Sequence, residues 1–125
     1  MMDLSAWTPR LLSVLRIVAG LLFLEHGLSK LLHFPIPAPA TMTPLLIAAG
    51  VIELVGGALV TLGLFTRLAA FIMSGEMAFA YFMVHAPQSL YPLVNRGDAA
   101  ILFCFIFLYI AAAGPGPWSL DAKRR

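Results

Sequence analysis

The ionisable side chains that stand among apolar residues are Arg16, Glu25, His26, Lys30, Glu53, Glu76, Arg96 and Asp98. Carboxyls take up and release protons, imidazole does so near neutrality, and Arg and Lys donate hydrogen bonds to carbonyls or anions. An acid at the centre of a membrane-spanning helix costs ~2.5–3.5 kcal/mol, while each Leu, Ile, Val or Phe returns only ~0.3–0.6 kcal/mol. One glutamate therefore cancels roughly six to ten apolar side chains. Residues that expensive need partners. They form either a structural ion-pair network, with Arg16, Glu53 and Glu76 at its centre, or a ligand or proton site. His26 belongs to such a site or hydrogen-bonds a neighbouring helix. Lys30 either joins it or snorkels to the outer interface.

Other chemistries find less support. Glu25, His26, Glu53 and Glu76 are ligand types that zinc or iron accepts, but the Glu-x-x-His spacing of helical carboxylate sites does not occur, so no metal is expected. There is no serine nucleophile with a base, no glycine-rich phosphate cradle and no haem motif. The single cysteine, Cys104, excludes an intrachain disulfide or CxxC pair and reads as packing. The formal charge of +2 comes from scattered basic residues and a Lys123-Arg124-Arg125 tail, which suits anionic lipid better than nucleic acid. His33 reads as a loop residue, His85 as interfacial, Tyr91 and Trp118 as membrane-interface aromatics, and Met73, Met77 and Met83 as packing.

The elements that must position these groups follow from composition. Of 125 residues 61% are hydrophobic and 11% charged, against roughly a quarter charged in soluble domains. Lipid is the expected solvent, and the lipid bilayer the first partner. At ~20 residues per span, four spans and their turns use nearly the whole length. Prolines, glycines and a possible cap at Thr43 mark helices over 9–32, 44–64, 67–85 and 97–113. The expected fold is all-α, a four-transmembrane-helix antiparallel bundle forming one domain over 1–125. Ala38-Pro39-Ala40 has the form of a signal cleavage site, but Arg16, Glu25, His26 and Lys30 interrupt the preceding apolar run. That run is read as a retained helix. Lys and Arg placement puts both termini in the cytoplasm.

Helical periodicity at ~100° per residue puts Glu53 on one side with Gly50, Gly56 and Gly57. Glu76 shares its side with Ala69, Met73, Ala80 and Met83. Glu25 lies about 140° from Lys30, so one site holding all the charges is not required. Glu25, His26, Lys30, His85, Arg96 and Asp98 belong to the outer half, Glu53 and Glu76 to the midplane and Arg16 to the inner half. A polar pocket opening outward is the expected arrangement. The acids outnumber the cations by one, which a protonated glutamate, a charged His26 or a bound cation balances.

These residues also carry a resemblance. Arg16-x3-Gly20-x2-Phe23 with Glu25-His26-Gly27-x2-Lys30-Leu31 is similar to the first-helix signature of the DoxX family. Glu53-Leu54-Val55-Gly56-Gly57 and Gly63-Leu64-Phe65-Thr66-Arg67-Leu68-Ala69-Ala70 resemble its second. Gly75-Glu76-Met77-Ala78-Phe79-Ala80-Tyr81-Phe82 with His85-Ala86-Pro87 resembles its third-helix segment. Asn95, Gly97 and Asp98 resemble its Asn-x-Gly-Glu helix start, with Asp in place of Glu. Gly114-Pro115-Gly116-Pro117-Trp118-Ser119-Leu120-Asp121 resembles its closing segment. The resemblance covers about residues 12 to 121 and implies a four-helix protein of the bacterial inner membrane. Its relatives are linked to thiosulfate:quinone oxidation and to membrane complexes handling oxidative or thiol stress.

The functional expectation is a redox- or stress-associated membrane subunit whose intramembrane pocket takes a small lipophilic or quinone-like ligand. Glu53 and Glu76 would carry protons, and Arg16, His26 and Lys30 would donate to the ligand. No electron carrier is encoded, so electrons come from the ligand or a partner, and whether the chain is itself an enzyme stays open. The alternative is a non-enzymatic scaffold or assembly subunit with membrane or periplasmic protein partners. A small transporter fits less well, because four helices make a narrow bundle unless the chain forms a homo-oligomer.

Overall fold

Proline, glycine and hydroxyl caps set the ends of the helices. A computed structural model describes residues 3–39 and 41–124; Ala40 of the Ala38-Pro39-Ala40 run and Arg125 of the basic tail lie outside them. Helix α1 spans Thr8–Leu32, with Pro9 in the first turn, where its missing N–H costs no hydrogen bond. It closes on His33 in the left-handed region, whose Nδ1 accepts a hydrogen bond from Ala38 N at 3.1 Å. Helix α2 spans Pro44–Leu62, and the Thr43 hydroxyl caps it by accepting from Leu46 N at 3.2 Å. Gly63, at φ 72°, ends it two residues earlier than proposed from sequence.

Helix α3 departs from the expectation of one regular helix to residue 85. A regular stretch, Thr66–Ala80, gives way to a π-helical turn, Tyr81–His85, and then to a 3-10 turn, Ala86–Gln88. Pro87 has no N–H for the carbonyl four residues back, and its ring crowds that carbonyl, so the preceding turn loosens. Helix α4, Pro92–Asn95, is a single turn ahead of α5, Asp98–Ala113. A last turn, α6, spans Leu120–Lys123, capped where Ser119 Oγ accepts from Ala122 N at 3.1 Å. Sequence periodicity foretold neither short helix.

The chain is all-helical, with no strand among the described residues. Three helical stretches are long and apolar enough to cross a membrane: Ser5–Leu32, Pro44–Leu62 and Thr66–Gln88. Of the four expected spans, the last, α5, is the short one. Its 16 residues measure about 24 Å at 1.5 Å each.

Glycines decide how the helices pair. Gly20 faces Thr61, Gly57 faces Leu24, Gly27 faces Leu54, and Gly50 faces Lys30 and Leu31. Numbers rise along α1 as they fall along α2, so the two run antiparallel. A Cβ on Gly57 would stand 2.7 Å from Leu24 N, and only glycine lets the backbones approach so closely. Helices α3 and α5 form the second antiparallel pair. Arg67 meets Ala111, Ser74 meets Cys104, and Tyr81 meets Gly97. Met73 of α3 packs on Gly56 of α2, and the Phe23 ring meets Phe107 edge-on at 5.0 Å between centroids. These contacts join the pairs into one core.

The C-terminal segment folds back over one end. Arg16 donates to the carbonyls of Pro115 and, at 2.6 Å, Trp118, while Trp118 N donates to Ser13 Oγ at 3.1 Å. Asp121 N donates to Gly63 O at 2.8 Å. The first turns of α1, the α2–α3 turn and the C-terminal segment therefore share one end of the helices. Residues 33–39 and 41–43 and the 81–97 connection occupy the other.

Candidate functional site

At the middle of α2, Glu53 is 2% exposed although ionisable. Its neighbours explain how it is held. Gly27 and Gly50 let α1 and α2 close up on either side of it, which brings Lys30 across the interface. Lys30 Nζ donates to Glu53 Oε1 at 2.7 Å. The hydrogen bond replaces part of the hydration that both charges lose. Glu76, on α3, brings its carboxyl beside that of Glu53. Its Oε1 is buried and has no hydrogen-bond partner.

A cavity of about 620 Å³ opens at this cluster, between α1, α2, α3 and the start of α5. Its walls are mainly apolar, from Phe23, Ile52, Met77, Phe79 and others. The polar groups on it are His26, Lys30, Glu53, Glu76, His85 and Arg96. Size and character match sites that enclose a small molecule, where a few polar groups fix orientation in an apolar container. Two acids and one lysine leave the cluster neutral only with one added proton or a cationic group of a ligand.

The outer rim is built by a network that sequence reasoning missed. Asn95 is fully buried; its Nδ2 donates to Ser89 O at 3.0 Å and Tyr81 Oη at 3.2 Å, and its Oδ1 accepts from Gly97 N at 2.8 Å. His85 Nδ1 donates to Asn95 O at 2.9 Å, and the His85 ring stacks on Tyr81. This places His85 on the cavity wall, where the sequence suggested only an interfacial residue. Arg96 follows in a left-handed conformation, φ 61°, and lines the mouth. The available signal was Asn-x-Gly, a pattern suited to a tight turn.

Three of the proposed site residues lie elsewhere. Arg16 is 1% exposed, but the carbonyls of Pro115 and Trp118 hold it at the end where the termini meet. The expected Arg16–Glu53–Glu76 network is thus replaced by a pair in which Lys30 is the cation. Lys30 turns inward to Glu53 in place of snorkelling outward. Glu25 is exposed on the flank of α1, as its 140° offset from Lys30 implies. Asp98 is exposed in the first turn of α5, where a carboxylate suits the positive end of the helix dipole. Among the described residues no group of three or more His, Cys, Asp or Glu is arranged to hold a metal ion.

The family model for DoxX matches residues 11–86, from the first turn of α1 past the π-helical turn of α3. The chain belongs to the DoxX family. A protein of Haemophilus influenzae described as uncharacterized is 45% identical to it, over 98% of this chain and 97% of its own length. An uncharacterized membrane protein of Mycobacterium tuberculosis is 31% identical, over 96% of this chain and 85% of its own. No solved structure matches the chain significantly. The DoxX match contains Lys30, Glu53, Glu76 and His85, whereas Asn95 and Arg96 lie beyond it.

Proposed function

We propose that this DoxX-family membrane protein is a four-span subunit of the bacterial inner membrane that holds a small lipophilic, quinone-like ligand and exchanges protons with it. The observation that carries the reading is the buried, unpartnered Glu76 Oε1 at the wall of a largely apolar cavity. A buried polar atom without a partner costs about 1–3 kcal/mol, and a ligand in the cavity removes that cost. Lys30 and Glu53 would orient the polar end of the ligand. Glu76 is placed to give or take its proton. A quinone changes its proton count when it changes its electron count, and the electrons would pass to or from a partner subunit.

Topology supports four crossings. The first turns of α1 and the C-terminal segment hydrogen-bond to each other, which supports a reading with both ends on one side of the membrane and an even number of crossings. α5, with the α4 turn before it and the Gly114 segment after it, is the crossing that completes the count. Arg10, Arg16, Arg67, Lys123 and Arg124 gather at the end bearing the termini, against Lys30 and Arg96 toward the other. The positive-inside rule makes that end cytoplasmic.

Protein purified in mild detergent tests the reading. Co-extracted quinone, or saturable binding of an added quinone, lost in Glu76→Gln and Glu53→Gln, supports it. One observation favours a second reading, a scaffold whose charges are structural: the Lys30–Glu53 pair already ties α1 to α2. Variants that bind normally but unfold at lower temperature would decide for the scaffold.

A further inference from the structure

A second cleft, of about 550 Å³, lies at the end that bears the termini, away from the glutamate cluster. The first turn of α3, the end of α5 and the C-terminal segment enclose it, with Phe65, Arg67, Leu68, Pro115, Asp121 and Ala122 among its walls. The Arg67 guanidinium sets its chemistry. Nη1 donates to the carbonyls of Ala111 and Ala112, which holds the side chain against the last turn of α5. Nε and Nη2 have no hydrogen-bond partner among the described residues. A Cβ on residue 114 would stand 2.8 Å from Nη2, so the glycine there leaves that edge of the guanidinium uncovered. Nε–H and Nη2–H lie side by side on the planar group and together match two oxygens of a phosphate.

Charge and depth point to the same kind of ligand. Asp121, the acid on the cleft, accepts from Phe65 N and Thr66 N, and Arg124 Nη1 approaches it at 3.9 Å. Arg67 and Arg124 against Asp121 leave a net positive charge for an anion to neutralise. The α3 stretch Thr66–Gln88 has 23 residues, about 34 Å at 1.5 Å each, against a hydrocarbon layer of ~30 Å. Its first turn, with Arg67, therefore reaches headgroup level. Phe65 and Leu68 on the cleft and Phe71 one turn on are 54%, 65% and 62% exposed, and in a membrane that exposure meets acyl chains.

We infer that this cleft seats the phosphodiester of a membrane phospholipid on Arg67 Nε and Nη2, with the acyl chains lying along Phe65, Leu68 and Phe71. The site is separate from the cavity at Glu53 and Glu76 and does not depend on what that cavity holds. A bound phosphodiester also ties the lipid to the junction of α3, α5 and the C-terminal segment, because the same guanidinium holds the α5 carbonyls.

Native mass spectrometry of the delipidated protein tests this with dioleoyl phosphatidylglycerol, dioleoylglycerol, which lacks the phosphate, and glycerophosphoglycerol, which lacks the chains. Phosphatidylglycerol fills a saturable site about tenfold or more tighter than dioleoylglycerol, as a charge-assisted hydrogen bond gives. Arg67→Gln removes that preference. Ala122→Glu removes it too, by setting a carboxylate in the cleft from an exposed position, and it carries the test alone if Arg67→Gln loosens α3 from α5 and fails to fold. Equal affinities for phosphatidylglycerol and dioleoylglycerol overturn the site, as does phosphatidylglycerol binding unchanged in either folded variant. Glycerophosphoglycerol bound as tightly as the whole lipid assigns the cleft to a soluble phosphodiester and overturns the lipid. None of these outcomes bears on the ligand of the other cavity.

Discussion

Lys30 Nζ stands 2.7 Å from Glu53 Oε1, linking the last turn of α1 to the centre of α2. The carboxylate is almost wholly buried, whereas the lysine keeps 22% of its side chain exposed. Removing either partner leaves a charge without its counter-ion in a low-dielectric site. For fully buried pairs such a loss costs about 3–5 kcal/mol, and the partial exposure of Lys30 sets this pair near the lower end. Lys30→Met or Glu53→Gln alone should lower thermal stability in detergent by that order. The double variant should recover most of the loss. Single variants that unfold at the unmodified temperature would show that the pair holds nothing together.

The glycine seam gives a second prediction. A Cβ at Gly57 meets Leu24 N and Cα at 2.7 and 2.9 Å, both backbone atoms that cannot turn aside. Gly57→Ala should force α1 and α2 apart and cost about 1–3 kcal/mol, as overpacking does. Gly75 has nothing within 4 Å of its would-be Cβ. Gly75→Ala should leave the unfolding temperature unchanged or raise it slightly. Equal effects of the two substitutions would contradict the packing described.

Asp121 caps α3 from a distant segment, accepting from Phe65 N at 3.0 Å and Thr66 N at 2.9 Å. Burial raises the pKa of its carboxyl, but the hydrogen bonds from Thr66 and Phe65 and the charge of Arg124 outweigh it and hold the pKa below the ordinary value. The stabilisation is thus fully present above the unfolded carboxylate pKa, ~3.9. It is lost as pH falls through the lower folded value. Asp121→Ala should cost about 0.5–2 kcal/mol at neutral pH. The gap in unfolding temperature from the unmodified protein should close on acidification below about pH 4. A gap constant with pH would rule out the ionised cap.

Arg16 anchors the returning C-terminal segment through the Pro115 and Trp118 carbonyls. Hydrogen bonds from a charged donor are worth about 1.5–3 kcal/mol, and lysine cannot span two carbonyls as the planar fork does. Arg16→Lys should destabilise the protein by that order and speed tryptic cleavage at Lys123 and Arg124, with ligand affinity unchanged because the cavity is elsewhere. A matching loss of affinity would place Arg16 in the site after all.

The tertiary structure chose among partners that the sequence left equivalent. Periodicity fixes direction around one helix axis, so the inward turn of Glu53 beside Gly50, Gly56 and Gly57 was legible from residue numbers alone, as was the 140° that separates Glu25 from Lys30; that Glu25 leaves the pocket for the exposed flank was decided by the structure. Periodicity does not fix the axial offset between helices. That offset depends on where glycines let backbones touch, and it made Lys30, in place of Arg16, the partner of Glu53. Asn95, His85 and the Asp121 cap reach their positions through turns in which residues distant along the chain supply the hydrogen bonds.

Residue types by themselves pointed to the solvent and placed the long helices to within a few residues, except where α3 loosens after Ala80. Apolar runs cannot stay in water, proline withholds an N–H, and glycine tolerates the left-handed turn. Only the folded chain decided which polar groups meet at the cavity. Their meeting is a property of the contacts between helices, and no single helix carries that information.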